Sequence, residues 1–166
     1  MQYQIVSVDM PGYGKSAGKA HSFRTIHILD KDGPAELIRE LVKILNLQNV
    51  TLVGYDWGGS IALRLGVQNS ADFENIIAFM PAYGESDQNR DELKKLKTKT
   101  FIHWVKQDMM HVWSKFKEKA LKIPNVNIEL TDVKLWKSEI ANNLYEKISD
   151  QILGPQCKFL TGIDPF

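Results

Sequence analysis

Apolar residues along this chain fall into two alternating rhythms, short runs of strand length and longer stripes at helical spacing. That is the order expected of an α/β protein with a mostly parallel sheet. Gln4 to Val8, carrying Ile5, Val6 and Val8, reads as a short strand that Pro11, Gly12 and Gly14 end in a turn. After a loop, Asp32-Gly33-Pro34 starts a helix with the proline in its first turn, and Leu37, Ile38, Leu41, Val42 and Leu45 form one apolar stripe. Asn49 to Val53 is a strand, Gly54 to Gly59 a tight turn, and Ser60 to Val67 a helix with Ile61, Ala62 and Leu65 toward the sheet. Asn75 to Met80 and Thr100 to Val105 are unbroken apolar runs, the mark of strands buried on both faces. The polar stretch between them, Pro81 to Lys99, leaves room for a loop and a short helix around Asp91 to Leu96. Met110 to Leu121 predicts a helix, Val126 to Leu130 a strand, Glu139 to Leu153 a closing helix, and Cys157 to Leu160 a last short apolar piece. The pattern predicts a sheet of about five strands flanked by helices.

Composition narrows the class. The 166 residues are 43% hydrophobic, 25% charged and 10% aromatic, which fits one globular domain and excludes a disordered or collagen-like chain. No window has the ~20 uninterrupted apolar residues of a membrane span, and the start lacks signal-peptide regions, so an intracellular, cytoplasmic protein is expected. The single cysteine, Cys157, cannot form an internal disulfide, and no Cys/His cluster has metal spacing; neither a metal nor a cofactor is expected. The net charge of +1 conceals an uneven distribution: Lys94 to Lys122 holds nine lysines against Asp108 and Glu118. Without interleaved aromatics or a nucleic-acid motif, this run reads as a solvated helix face and loop, and nucleic acid as an unfavoured partner.

One run carries chemistry. Gly54-Tyr55-Asp56-Trp57-Gly58-Gly59 follows a strand and precedes a helix, the context of a nucleophile elbow, in which the central residue sits on a sharp turn with its side chain exposed. Small residues two before and two after it, Gly54 and Gly58, are expected to let the helix pack on the strand, and Gly59 continues the series. The central residue is Asp56, whose carboxylate can attack an electrophilic carbon and form an ester. The Trp57 N–H, at the helix start, would help to bind the developing negative charge.

A second run, Val8-Asp9-Met10-Pro11-Gly12-Tyr13-Gly14-Lys15-Ser16, stands upstream. Gly14-Lys15-Ser16 fails the phosphate-loop spacing, because Asp9 stands where that motif needs glycine. Together the two runs resemble the α/β-hydrolase superfamily, in which a strand ending Asp-x-Pro-Gly-x-Gly-x-Ser is followed by a loop, a helix and the elbow strand. The elbow with Asp and Trp is most similar to those of epoxide hydrolases and haloalkane dehalogenases. Lys99 to Asp108 looks like the later strand whose following loop carries the triad acid, which makes Asp108 the candidate orienting acid. Pro124 to Leu130 looks like the strand after which the family places its general-base histidine, yet the chain continues Thr131-Asp132-Val133-Lys134-Leu135-Trp136. His111 is a poor substitute; His103 inside a strand, and His21 and His27 in a loop, read as structural; Asp164 belongs to the tail.

The resemblance further implies a strand and a His-Gly-x-Pro-like oxyanion turn ahead of Met1, that strand lying between Gln4 to Val8 and the elbow strand. The gap is filled by the first strand moving over, by another polypeptide, or by a longer copy of this chain. The cap is reduced or absent, and Tyr55, Trp57, Tyr83 and Trp104 read as packing in preference to pocket lining. The expectation is a partial α/β-hydrolase domain over residues 1–153 with a tail at 154–166. Its expected role is that of a degenerate relative acting as an interacting or structural subunit, with an active hydrolase using Asp56, Asp108 and a base from elsewhere as the alternative.

Overall fold

The structure, a computed structural model, describes residues 4–11, 13–16, 33–82, 88–106 and 113–131. The predicted helix at Glu139 to Leu153 and the piece at Cys157 to Leu160 lie outside these residues, as do Tyr83, Asp108, His111, His21 and His27. The described elements are α1 (Gly33–Ile44), β1 (Thr51–Tyr55), α2 (Trp57–Gln68), β2 (Asn75–Phe79), β3 (Lys99–Val105), α3 (Trp113–Ala120) and β4 (Val126–Thr131). A 3-10 segment, Gln88–Lys95, stands between β2 and β3 where the sequence predicts a short helix. Among the described residues no helix is long and apolar enough to cross a membrane.

The strands form one parallel sheet in the order β1-β2-β3-β4, each pairing with its neighbour in sequence. Parallel neighbours need a crossover, and α2, the 3-10 segment and α3 supply the three crossovers. Side chains alternate between the faces. Leu52, Ile76, Ala78, Ile102, Trp104, Val126, Ile128 and Leu130 share one face and pack against Ala62 and Leu63 of α2, Leu93 and Leu96, and Phe116 and Ala120 of α3. Trp104 is the centre of this layer, with its ring 4.9 Å from that of Phe116 and 5.4 Å from that of Trp113. A second cluster joins Ala35 of α1 to Ile61 and Leu65 of α2 and to Phe73, with Met10, Ile38 and Val42 against it. The sheet interior is buried on both faces as its apolar runs predict: Ile77 and Phe101, on the face opposite Trp104, are also buried.

Two expectations are corrected. Gln4–Val8 forms no strand among the described residues, and Ile5 is 85% exposed. Its apolar pattern is that of a strand, but a strand is held by the ladder beside it, and no described strand lies beside this segment. The sheet has four described strands, and among the described residues Gln4–Val8 does not pair with β1. In α1, Ile38 and Val42 of the predicted stripe pack inward, while Leu37 and Leu45 are exposed.

β1 is thus at one end of the described sheet. The Val50 carbonyl accepts from the Glu74 N–H, and the Asp56 N–H donates to the Phe79 carbonyl, so even-numbered residues of this strand point their backbone groups toward β2. Because a parallel ladder alternates by residue, the N–H and C=O groups of Thr51, Val53 and Tyr55 point the other way, to an edge with no described strand. The side chains of Val53 and Tyr55 are also exposed.

Candidate functional site

The sharpest backbone feature stands where β1 becomes α2. Asp56 has φ 54° and ψ −116°, the geometry of the first central residue of a type II′ turn, where glycine is preferred. The corner is pinned on both sides. Asp56 N–H donates to Phe79 C=O at 2.9 Å, and Asp56 C=O accepts from Ala82 N–H at 3.0 Å and Ser60 N–H at 3.2 Å. Buried Ser60 closes the loop by donating its hydroxyl to Ala82 C=O at 2.8 Å. Since the first helical bond is Ser60 N–H to Asp56 C=O, the N–H groups of Trp57, Gly58 and Gly59 have no acceptor within the helix and form its electropositive end.

The glycines divide the labour differently from the sequence expectation. A Cβ on Gly54 would lie 2.2 Å from the Gly58 carbonyl oxygen and 2.6 Å from Gly59 N, both backbone, so the strand and helix touch here at main-chain distance. At Gly59 a Cβ would meet Gly54 O and Pro81 at 3.2 Å, while at Gly58 nothing lies within 4 Å. Gly58 contributes its backbone to the contact; the absent side chains that matter are those of Gly54 and Gly59.

Non-glycine residues in such a conformation cost about 1 to 3 kcal/mol. Asp56→Gly is therefore expected to raise the unfolding free energy by about 1 kcal/mol in urea titration, the remainder being lost to glycine's freedom in the unfolded chain. A loss of stability in that variant would show that the aspartate side chain, not the turn, holds the corner.

Upstream, the Asp9 carboxylate accepts from Lys15 N–H at 2.9 Å, and Gly14 adopts φ +49° with its Cα against that carboxylate; a Cβ there would lie 2.4 Å from Asp9 Cγ. This closes the second motif on itself, with Met10 turned into the α1–α2 cluster.

A family model described as the alpha/beta hydrolase fold matches residues 2–143, most of the chain and both of these motifs. The chain belongs to the alpha/beta hydrolase fold family. Rat ABHD14A is 30% identical to it over 108 residues, covering 64% of this chain and 41% of that protein. The haloalkane dehalogenase of Psychrobacter cryohalolentis is 32% identical over 76 residues, covering 46% of this chain and 24% of its own. Among solved structures, a predicted CIB-like hydrolase from Thermoplasma acidophilum superposes with TM-score 0.60 at 26% identity, covering 75% of this chain and 58% of that one. The chain spans less than half the length of these two curated relatives.

Within this alpha/beta hydrolase fold, the described residues bring Gly54, Asp56, Trp57, Gly58 and Gly59 together at one corner. Asp108, the candidate acid, lies outside them. His103 is brought near but not to it. It sits on β3 in register with Phe79 of β2, which pairs with Tyr55 of β1, so two strand spacings, roughly 10 Å, separate its backbone from that of Tyr55. Its Nε2 is hydrogen-bonded to Thr131 Oγ1 at 3.0 Å, on the side of β4, and its ring lies 5.9 Å from that of Phe79. The sequence reading of His103 as structural agrees with this geometry; the Thr131 bond, spanning 28 residues, has no local signal.

Burial pushes the His103 imidazole below its ordinary value, against an upward pull from the Glu129 carboxylate. On acidification the unfolded chain takes up this proton first, at about pH 6.5. The folded state therefore loses stability below that pH until its own lower value is reached, and loses none above it. His103→Gln is expected to remove that part of the slope: the stability difference between parent and variant, from urea midpoints at closely spaced pH values, should be flat above about pH 7 and shift against the parent below it. A constant difference across the range would exclude the coupling.

Proposed function

We propose that this chain is a catalytically degenerate α/β-hydrolase-fold protein, intracellular, that acts as an interacting or structural subunit of a larger assembly. The observation that carries this reading is the outer edge of β1, beside which no described strand lies. Three residues of backbone donors and acceptors point outward there, and the side chains of Val53 and Tyr55 on the same strand are exposed. An edge with an apolar rim suits strand addition, in which main-chain hydrogen bonds supply affinity and the alternating side chains supply fit. Absence of a base supports the degenerate half of the reading. The chain carries no histidine beyond His111, so the stretch after Leu130 has none, and His103 is turned to Thr131. Lacking an imidazole there, an ester on Asp56 would have no group to activate water, a loss of roughly 10² to 10⁴ in turnover. On this reading residues 1–153 are the domain and 154–166 its tail.

The test is the native size and intact mass of the protein isolated from its source. A stable complex containing the 18.9 kDa chain is the expected result. A monomer of that mass that turns over an epoxide, a haloalkane or an ester would overturn it.

The turn geometry favours a second reading, an active hydrolase with Asp56 as nucleophile, Trp57 N–H in the oxyanion site, Asp108 as acid and a base supplied from elsewhere. The carboxylate would attack a carbon of the epoxide, the C–O bond would break, and the alkoxide would take a proton, leaving an ester on Asp56. Intact mass after incubation with a styrene-type epoxide separates the readings: an adduct mapped to Asp56 and absent from Asp56→Asn supports the nucleophile, and no adduct supports the degenerate subunit.

A further inference from the structure

The lysine-rich stretch is spread over three elements in sequence, and the fold gathers it. Leu93 and Leu96 at the end of the 3-10 segment, Phe116 and Ala120 of α3, and Ile123 in the turn before β4 all pack into one cluster. The residues that alternate with these inward side chains stand on its outside. Lys94 follows Leu93, Lys97 follows Leu96, Lys117 follows Phe116, Lys122 precedes Ile123, and Lys99 opens β3 beside Asn125, whose carbonyl accepts from Thr100 N–H. All five are exposed. Leu121 sits among them, its N–H donating to the Lys117 carbonyl and its side chain 61% exposed. Acidic residues on these elements are fewer than the lysines: Asp91 and Glu92 on the 3-10 segment, the latter paired with Lys95 at 2.8 Å, Glu118 on α3 and Glu129 on β4. The face lies at the N-terminal ends of β3 and β4, the opposite end of the sheet from the Asp56 corner.

We infer that this face is a docking surface for an anionic membrane. Clustered lysines are drawn to the negative potential of a phospholipid leaflet, each adding about fivefold to partition near the surface. The exposed leucine is what selects lipid over nucleic acid: the headgroup and acyl boundary offers an apolar layer to receive it, which a phosphate backbone does not. The five cations placed on this face are lysines, which do not grip phosphate bidentately as arginine does, and Leu121 is its only exposed large hydrophobic among the described residues. This inference is independent of the β1 edge and of any chemistry at Asp56.

Sedimentation of the full chain with vesicles tests it. The chain is expected to pellet with phosphatidylcholine vesicles containing about one-third phosphatidylserine, to stay in solution with pure phosphatidylcholine, and to be released when salt rises from about 0.1 M to about 0.5 M. The triple substitution Lys94→Ala, Lys97→Ala and Lys122→Ala should weaken binding by about 100-fold. Leu121→Ser should weaken it several-fold while leaving the salt dependence unchanged. All four positions are exposed, and circular dichroism of the variants controls for folding. Equal pelleting with neutral and anionic vesicles, or none with either, overturns the inference. So does binding to a duplex oligonucleotide that is as tight as to the anionic vesicles and indifferent to Leu121→Ser, which would assign the face to nucleic acid.

Discussion

Gly54→Ala is expected to lower the unfolding free energy by about 3 kcal/mol and the melting temperature by roughly 10 °C. The added methyl carbon would stand 2.2 Å from the Gly58 carbonyl oxygen and 2.3 Å from its carbon, and neither belongs to a side chain that can rotate away. Relief requires that β1 and α2 separate. That would stretch the bonds from Asp56 to Phe79 and Ala82, and with them the conformation in which the aspartate is held. Gly58→Ala is the matched control. Its Cβ would meet nothing within 4 Å, and alanine is preferred to glycine in a helix by about 1 kcal/mol, so this variant should equal or exceed the parent. Thermal melts of the pair decide the matter. If the two glycines respond alike, the close approach of strand and helix is not what fixes the corner.

The largest cost from the core is expected at Trp104. Its side chain is 1% exposed and its ring stacks on Phe116 at an interplanar angle of 21°, with Trp113 completing the group. Trp104→Ala should cost about 3 to 5 kcal/mol, comparable with the whole stability of a marginal domain, and leave the chain largely in the insoluble fraction on expression. Trp104→Phe, which keeps a ring against Phe116, should retain a cooperative transition at a lower urea midpoint. An unfolding free energy for Trp104→Ala within about 1 kcal/mol of the parent would mean that α3 does not depend on this contact to stay on the sheet.

Where a signal is local, the sequence carries the fold. Residues 75–79 and 99–105 are strands because unbroken apolar runs of that length suit a parallel sheet covered on both sides, and the structure buries Ile76, Ile77, Phe101 and Ile102 accordingly. α2 begins three residues before its expected start, since Trp57-Gly58-Gly59 has poor helix propensity and carries no helical signal in the sequence. Its first turn is set instead by Asp56, whose carbonyl receives the Ser60 N–H. Gln4–Val8 was not legible for a different reason: periodicity reports that a segment is apolar, not whether a neighbour exists to pair with it. The corner at Asp56 was legible as a motif, since the glycine spacing is a steric requirement written in consecutive residues. Which glycine meets which atom was not, because Pro81 approaches Gly59 from another element. The link from His103 to Thr131 was hidden likewise, being made by the register of β3 on β4.

The order of the sheet bears on how it assembles. Thr51 pairs with Asn75 and Asn75 with Lys99, 24 residues on in each case, and Thr100 pairs with Val126, 26 on. Every described ladder therefore closes over a single crossover, and no described pairing joins distant parts of the chain. Loop-closure entropy is met in three similar instalments, which keeps contact order low for a parallel sheet. During synthesis, β2, β3 and β4 can each be laid down as they emerge, on a seed that β1 and α2 provide. Of the described strands β1 is made first, so its edge facing away from β2, beside which no described strand lies, is exposed before any of the three ladders closes, and edge pairing between nascent chains would compete there with folding.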